Sequence, residues 1–294
     1  MAMMTPFQYA QNYWVLPVPL VDDAGELKGW DFAKVSKYRL ANPINAAGEP
    51  EKYDAMTTSS LHEFESKINL FAKPKEDEEI IIYTKDLNGN LKTTSFKRGE
   101  KNRLLRLSKR AIWGKGTPEE CQITLQLLYR FGVATNIQQL RQYCNDGKIG
   151  LDCNGFVGTY MRDCLGKKVD ENTTILDLWQ NGIPVKSFDE IKNFNVYVLA
   201  MVGTNGTVIA RIAEGKHGHI MITSPTNMDM IGVREGKVYQ RLNVVESTGG
   251  KGLIESDYLL LEEEKAGGKN TGVFKVHRGS KNEIMRVRMS RVYT

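Results

Sequence analysis

The order of periodicities along the chain constrains its fold most strongly. From Thr117 to Gly166 apolar residues recur at helical spacing. From about residue 190 onward, short apolar runs separated by Gly, Asn and Asp take over. Helices followed by a strand-rich stretch predict an α+β arrangement, with helices packed on an antiparallel sheet. "TPEECQITLQLLYRFG" carries Thr117 as N-cap, Pro118 in the first turn, Glu120 to complete a capping box and Gly132 as a stop. Cys121, Leu125 and Leu128 share one face of that helix, which marks Cys121 as core packing. A second helix is expected from about Asn136 to Cys144, ending at Asn145-Asp146-Gly147. Further on, "NVYVLAMVGTNGTVIARI" reads as two strands around a Gly-Thr-Asn-Gly turn. "HIMIT" reads as a short strand, "MIGVREGKVYQRL" as a hairpin and "NVVEST" as another strand. "GVFKVHRG" and "IMRVRMSRVYT" read as closing strands.

The first 112 residues are mixed and polar, and form an expected N-terminal α/β extension to a domain over 113–294. "EEIIIYTKDLNGNLKTTSF" predicts a hairpin turning at Asn88-Gly89, and "VDDAGELKGWDF" another turn between short strands. Residues 97–116 hold eight Lys or Arg against one Glu, with Leu104, Leu105, Leu107 and Ile112 on an apolar side. Such a helix can dock on an anionic surface or simply present a solvated face. The whole chain has 41% hydrophobic and 26% charged residues and a net charge of +5, ordinary for a globular protein, and no nucleic-acid partner is expected. No apolar run approaches the ~20 residues that span a membrane. The N-terminal stretch lacks a basic start and its apolar part is broken by Gln, Asn and Pro, so no secretory signal is expected. The four cysteines show no C-x-x-C spacing and no neighbouring histidine, which argues against a metal site and for free thiols. No cofactor is expected.

"KIGLDCNGFVGTY" sets a cysteine between an aspartate and an Asn-Gly pair. Asp152 is a good N-cap, and Phe156, Val157, Tyr160, Met161 and Leu165 recur at helical spacing up to Gly166. Cys153 is then expected in the first helical turn, away from the buried stripe. The unpaired N–H groups and the positive end of the helix dipole favour a thiolate there. Its own N–H can stabilise an oxyanion. Asp152, Asn154 and Gly155 are expected to border a substrate, a small residue at 155 letting it approach. A base is required. His219 opens the apolar strand "HIMIT" after a glycine-rich loop; His217, two residues earlier, is its rival. His62 is expected on a polar helical surface and His277 on a strand with a satisfied ring. Glu246 in "NVVESTGG" is the candidate to orient the imidazole, since antiparallel neighbours would set it against His219; the other reading is a carboxylate facing solvent.

These residues resemble a known family. "LDCNGFV" is similar to the D-C-S-G-[FL]-V nucleophile motif of the NlpC-type cell-wall peptidases, a branch of the papain-like cysteine hydrolases. "HGHIMIT" is similar to their H-V-G-I-Y motif, "VVES" to their third-residue strand, and "IWGKG" echoes their Tyr-x-Trp-Gly-Gly segment. The resemblance covers about residues 113–255. It implies a papain-like core, Cys153 as nucleophile, His219 as base and Glu246 as the orienting group, with Tyr143 a conjecture for completing the oxyanion hole. The implied substrate is an amide in a peptidoglycan stem peptide. The alternatives are a thioester-forming acyltransferase or amidase acting on a lipid or protein, and an inactive binding module of the same fold.

Overall fold

The computed structural model describes residues 3–22, 24–39, 62–66, 79–169, 173–214 and 218–293. Helices and antiparallel sheets are both present, as expected. The chain forms two compact units, one made of Tyr9–Gly155 with Ser247–Leu253, the other of Met1–Gln8, Phe156–Glu246 and Ile254–Thr294. The division expected at residue 112 falls inside the first of these, at the end of a helix.

In that unit, helix α1 (Pro6–Trp14) leads into an antiparallel pair, β1 (Leu16–Val21) and β2 (Leu27–Ala33). The hairpin β3 (Ile80–Lys85) and β4 (Leu91–Phe96) turns at Asn88-Gly89, where Gly89 takes φ 83° and Asp86 Oδ1 accepts from the N–H groups of Asn88 and Asn90. Helices α2 (Lys101–Ile112), α3 (Pro118–Arg130), α4 (Ile137–Asn145) and the first turn of α5 (Cys153–Asp163) follow. The capping box of α3 forms as read from the sequence, with Glu120 N–H donating to Thr117 Oγ1 at 3.1 Å and Thr117 N–H to Glu120 Oε2 at 2.8 Å.

Helix α3 buries more than the expected face: Cys121, Leu125 and Leu128 are fully buried, and so are Gln122, Thr124 and Gln126. The glutamines explain this. Gln126 accepts from Tyr83 N–H at 2.9 Å and donates to the Ile81 carbonyl at 2.9 Å; Gln122 accepts from Lys85 N–H at 2.7 Å and donates to its carbonyl at 2.9 Å. One helical turn rises about 6 Å over four residues and a strand about 6.7 Å over two, so two carboxamides at i, i+4 match alternate backbone sites along β3. Gln126→Leu leaves two partly buried backbone groups without their partner, and urea denaturation should show a loss of about 1 kcal/mol.

The basic stretch is largely used internally. Arg110 pairs with buried Glu120 (2.9 Å), Lys115 with Asp152 (2.7 Å) and Arg103 with Glu100 (3.0 Å), while Lys109 pairs with Glu65. At least four of its eight cations therefore have partners within the chain.

In the other unit, helix α6 (Ile175–Gln180) and the short β5 (Ile183–Pro184) precede β6 (Val196–Met201). The remaining elements are α7 (Val208–Ala213), β7 (Ile220–Thr223), β8 (Ile231–Arg234), β9 (Lys237–Thr248), β10 (Gly252–Ala266), β11 (Lys269–Arg278) and β12 (Glu283–Tyr293). The strands run β10-β11-β12-β6-β7-β9, and β9 also pairs with β10, which closes six strands into a barrel. β8 extends outward from β9, and β5 pairs with β12. The interior is filled by alternate residues: Tyr197 and Leu199 on β6, Leu242 and Val244 on β9, Tyr258 and Leu260 on β10, Phe274 and Val276 on β11, Met285 and Val287 on β12.

Three expectations are corrected here. Val208–Ala213 is a helix, not a strand: Gly206 turns the chain at φ 76°, and Thr207 Oγ1 caps it by accepting from Ala210 N–H at 3.1 Å. "NVVEST" is not a separate strand but the far half of β9, continuous with the hairpin strand that turns at Glu235-Gly236. β10, whose "LLLEEEK" has no clean alternation, had no element assigned.

Candidate functional site

The register of the barrel sets the first cluster. Ile222 lies opposite Val245 and Thr223 opposite Val244, so continuing that pairing brings Glu246 level with Met221 and on the same face as His219. His219 Nε2 lies 2.9 Å from Glu246 Oε2, the pairing expected from the sequence. The carboxylate is fully buried and the imidazole 12% exposed. Glu246 does not face solvent. It continues the interior row of Leu242 and Val244, where an unpaired charge would be costly.

Three further side chains meet that carboxylate. Arg278 Nη2 donates to Oε2 at 2.5 Å, Tyr258 donates to Oε2 at 3.0 Å, and Ser280 donates to Oε1 at 2.7 Å. Arg278 Nη1 also donates to Glu283 at 2.9 Å, and its Nη2 stands 3.1 Å from His219 Nε2. Burial, the largest influence, pushes the Glu246 carboxyl up. The hydrogen bonds from His219 and Arg278 and the charge of the guanidinium more than offset it and hold the group at about 2. Burial also pushes the Tyr258 phenol far up, with the Glu246 charge adding to it, so Tyr258 stays a donor. The sequence carried a signal for Arg278: it follows Phe274 and Val276 at the same parity, which places a cation on a core face. Tyr258 lay on the strand that was not assigned, and Ser280 lies just beyond β11.

The second cluster surrounds the start of α5. Asp152 caps it as expected, its Oδ1 accepting from Gly155 N–H at 2.5 Å. Lys115 Nζ grips both oxygens, at 2.9 and 2.7 Å, and Asp152 N–H donates to the Gly114 carbonyl at 3.1 Å. Burial pushes the Asp152 carboxyl up, against Lys115 and the backbone donors of Gly155 and Asn154. Asp152 is thus a buried cap locked by a lysine. At Gly155 a Cβ would run into the Gly114 carbonyl, so the missing side chain makes room for backbone. Residues 113–116, the "WGKG" segment, therefore do reach the cysteine helix, although two helices intervene in sequence.

Cys153 occupies the first position of α5, as expected, but is 6% exposed rather than open. Its Sγ lies 3.9 Å from Asn154 Oδ1. The preceding strand-like turn is held by the N-terminal part of the chain: Arg39 N–H donates to the Leu151 carbonyl (3.2 Å), and Leu151 N–H to that of Lys37 (3.0 Å). Ser247 Oγ donates to the Leu151 carbonyl at 2.6 Å. Tyr38 lies near enough to the cysteine for the two groups to interact electrostatically. Burial pushes its phenol far up, and Cys153 and Asp152 add to the effect. Buried Arg39 ties down two helix ends by donating to the carbonyls of Ile112 and Gly147, both at 3.1 Å. None of these N-terminal roles was expected, since nothing local in "KVSKYR" marks them.

Tyr143 lies on α4, buried, with Lys148 Nζ 4.7 Å from its ring centroid. His217 lies outside the described residues. His62 is exposed in a helical turn and His277 sits on β11 with Nε2 2.9 Å from Asn282 Oδ1, both as expected. All four cysteines are free thiols. Burial pushes Cys144 and Cys164 up to about 12 and Cys121 well above the ordinary thiol value. Among the described residues, no group of three or more His, Cys, Asp or Glu is placed to hold a metal, and no helix is long and apolar enough to cross a membrane.

No protein-family model matches the chain, and no curated protein or solved structure matches it significantly.

Proposed function

We propose that the protein is a cysteine hydrolase of amide bonds, with Cys153 as nucleophile, His219 as base and Glu246 as the group that orients the imidazole. The observation that carries this reading is the 2.9 Å hydrogen bond between His219 Nε2 and a carboxylate buried in an apolar barrel. With Nε2 turned to Glu246, proton exchange falls to Nδ1. In the reaction the Cys153 sulfur bonds to the amide carbon while its proton passes to His219. The C–N bond then breaks as His219 gives that proton to the departing amine. Water, deprotonated by His219, splits the thioester and restores the thiol. The resemblance of "LDCNGFV" and "HGHIMIT" to the NlpC-type motifs makes a peptidoglycan stem peptide the proposed substrate.

The test uses defined muropeptides with the intact chain. Cys153→Ala and His219→Ala should each lower cleavage at least about a thousandfold. His219→Ala should also slow iodoacetamide alkylation of Cys153 at pH 7 by about tenfold, read by peptide mass mapping, because the imidazole no longer takes up the thiol proton as the sulfur reacts. Equal alkylation in both proteins, or full cleavage by Cys153→Ala, overturns the reading. Product that forms only when an added amine is present assigns acyl transfer instead.

A further inference from the structure

The base pair of the proposed site carries an extra cation that the reaction itself does not require, and this inference rests on that reading. His219 Nε2 has an acceptor, Glu246 Oε2, at 2.9 Å and a donor, Arg278 Nη2, at 3.1 Å. One ring nitrogen can serve only one of them at a time. If Nε2 carries the proton, it donates to Glu246, and Arg278 turns its own N–H groups to Glu246 and Glu283. If Nε2 is bare, it accepts from Arg278, and the proton sits on Nδ1, where the ring can no longer act as a base toward a thiol.

Charge points the same way. A lone buried carboxylate would strongly favour the imidazolium. Here the carboxylate is already matched by a guanidinium that is itself 4% exposed, and it also accepts from Tyr258 and Ser280. Among the described residues, the charged and titratable groups in hydrogen-bond contact with this cluster include Glu246 on β9, Tyr258 on β10, Arg278 on β11 and Glu283 on β12. Glu283 offsets Arg278 further, but it is 43% exposed, where solvent screens it.

We propose that Arg278 is a positioning residue that neutralises Glu246, so that the carboxylate orients His219 without charging it. The imidazole then rests neutral with its proton on Nε2, ready to accept one at Nδ1. It is not the cationic half of a standing ion pair.

The test is a titration of His219 in the full chain, labelled with 15N at histidine and followed by long-range proton–nitrogen correlation, with His219→Gln to assign the ring among four histidines. At pH 7 the wild-type ring should be neutral and protonated at Nε2. Arg278→Met should raise its midpoint by about one pH unit or more, because an uncompensated carboxylate then faces it. If that variant does not fold, Glu246→Gln/Arg278→Met removes both charges together and should leave the midpoint within about half a unit of wild type. A midpoint that stays or falls in Arg278→Met, or falls by a unit or more in the double variant, overturns the proposal. Because Cys153 is untouched and no turnover is measured, failure here is separate from failure of the hydrolase reading.

Discussion

Glu246→Ala lowers the unfolding free energy by up to about 3–5 kcal/mol, the cost of stripping a buried charge of its buried partner, eased by the remaining pair with half-exposed Glu283. Arg278 loses its carboxylate while remaining 4% exposed, and the donors of Tyr258 and Ser280 lose their acceptor. Equilibrium urea denaturation at pH 7 measures the loss. The same side chain gives the protein an acid limit whose sign follows from its ionisation. Glu246 is held at about 2 in the folded chain, against an ordinary 4.5. Its stabilisation is therefore complete above about pH 4.5 and is lost as pH falls through 2, on the order of 3 kcal/mol in all. Glu246→Gln should flatten that part of the pH–stability curve. If Glu246→Ala unfolds at the wild-type urea midpoint, the cluster contributes nothing to the fold.

Gly155→Ala costs about 3 kcal/mol, at the upper end of what overpacking does, because the obstacle is backbone rather than a movable side chain. The added carbon meets the Gly114 carbonyl. Gly114, at φ 77°, has its own open side filled by the Arg39 carbonyl. Three chain segments are thus stacked with no side chain between them, and relief at 155 must disturb the Asp152 N–H to Gly114 hydrogen bond and the grip of Lys115. Gly29→Ala is the control. Nothing lies within 4 Å of a Cβ there, and a change within about 0.5 kcal/mol is expected. Equal midpoints for the two variants would show that the 114–155 contact relaxes freely.

Local chemistry was readable wherever the sequence carried its own signal. The capping box of α3, the Asn88-Gly89 turn, the helix starting at Cys153 and the facing of His219 and Glu246 all follow from residues close together in sequence or on adjacent strands. What was missed depends on distant segments. Arg278 and Tyr258 reach Glu246 only because the sheet closes on itself. Tyr38 and Arg39 reach the cysteine helix from more than a hundred positions upstream. One reading failed because local preference lost to a neighbour. The β-branched start of "VIARIA" became helix once Thr207 capped it. The basic stretch misled because its charge count ignores that Arg110 and Lys115 are buried partners of Glu120 and Asp152.

The two glutamines on α3 do more than tie a helix to a hairpin. They end a sheet. A two-stranded ribbon normally offers its outer row of N–H and C=O groups to any passing chain, and that row seeds fibrils. Here four groups of that row, the Ile81 carbonyl, the Tyr83 N–H and both backbone groups of Lys85, are taken by side-chain amides that cannot pass the pattern on, so β3 has a stop where another strand would have been a relay. A Gln-x-x-x-Gln helix face is short enough to transplant. Grafted beside an exposed strand in another protein, it offers a way to terminate a sheet without proline, a bulge or added charge.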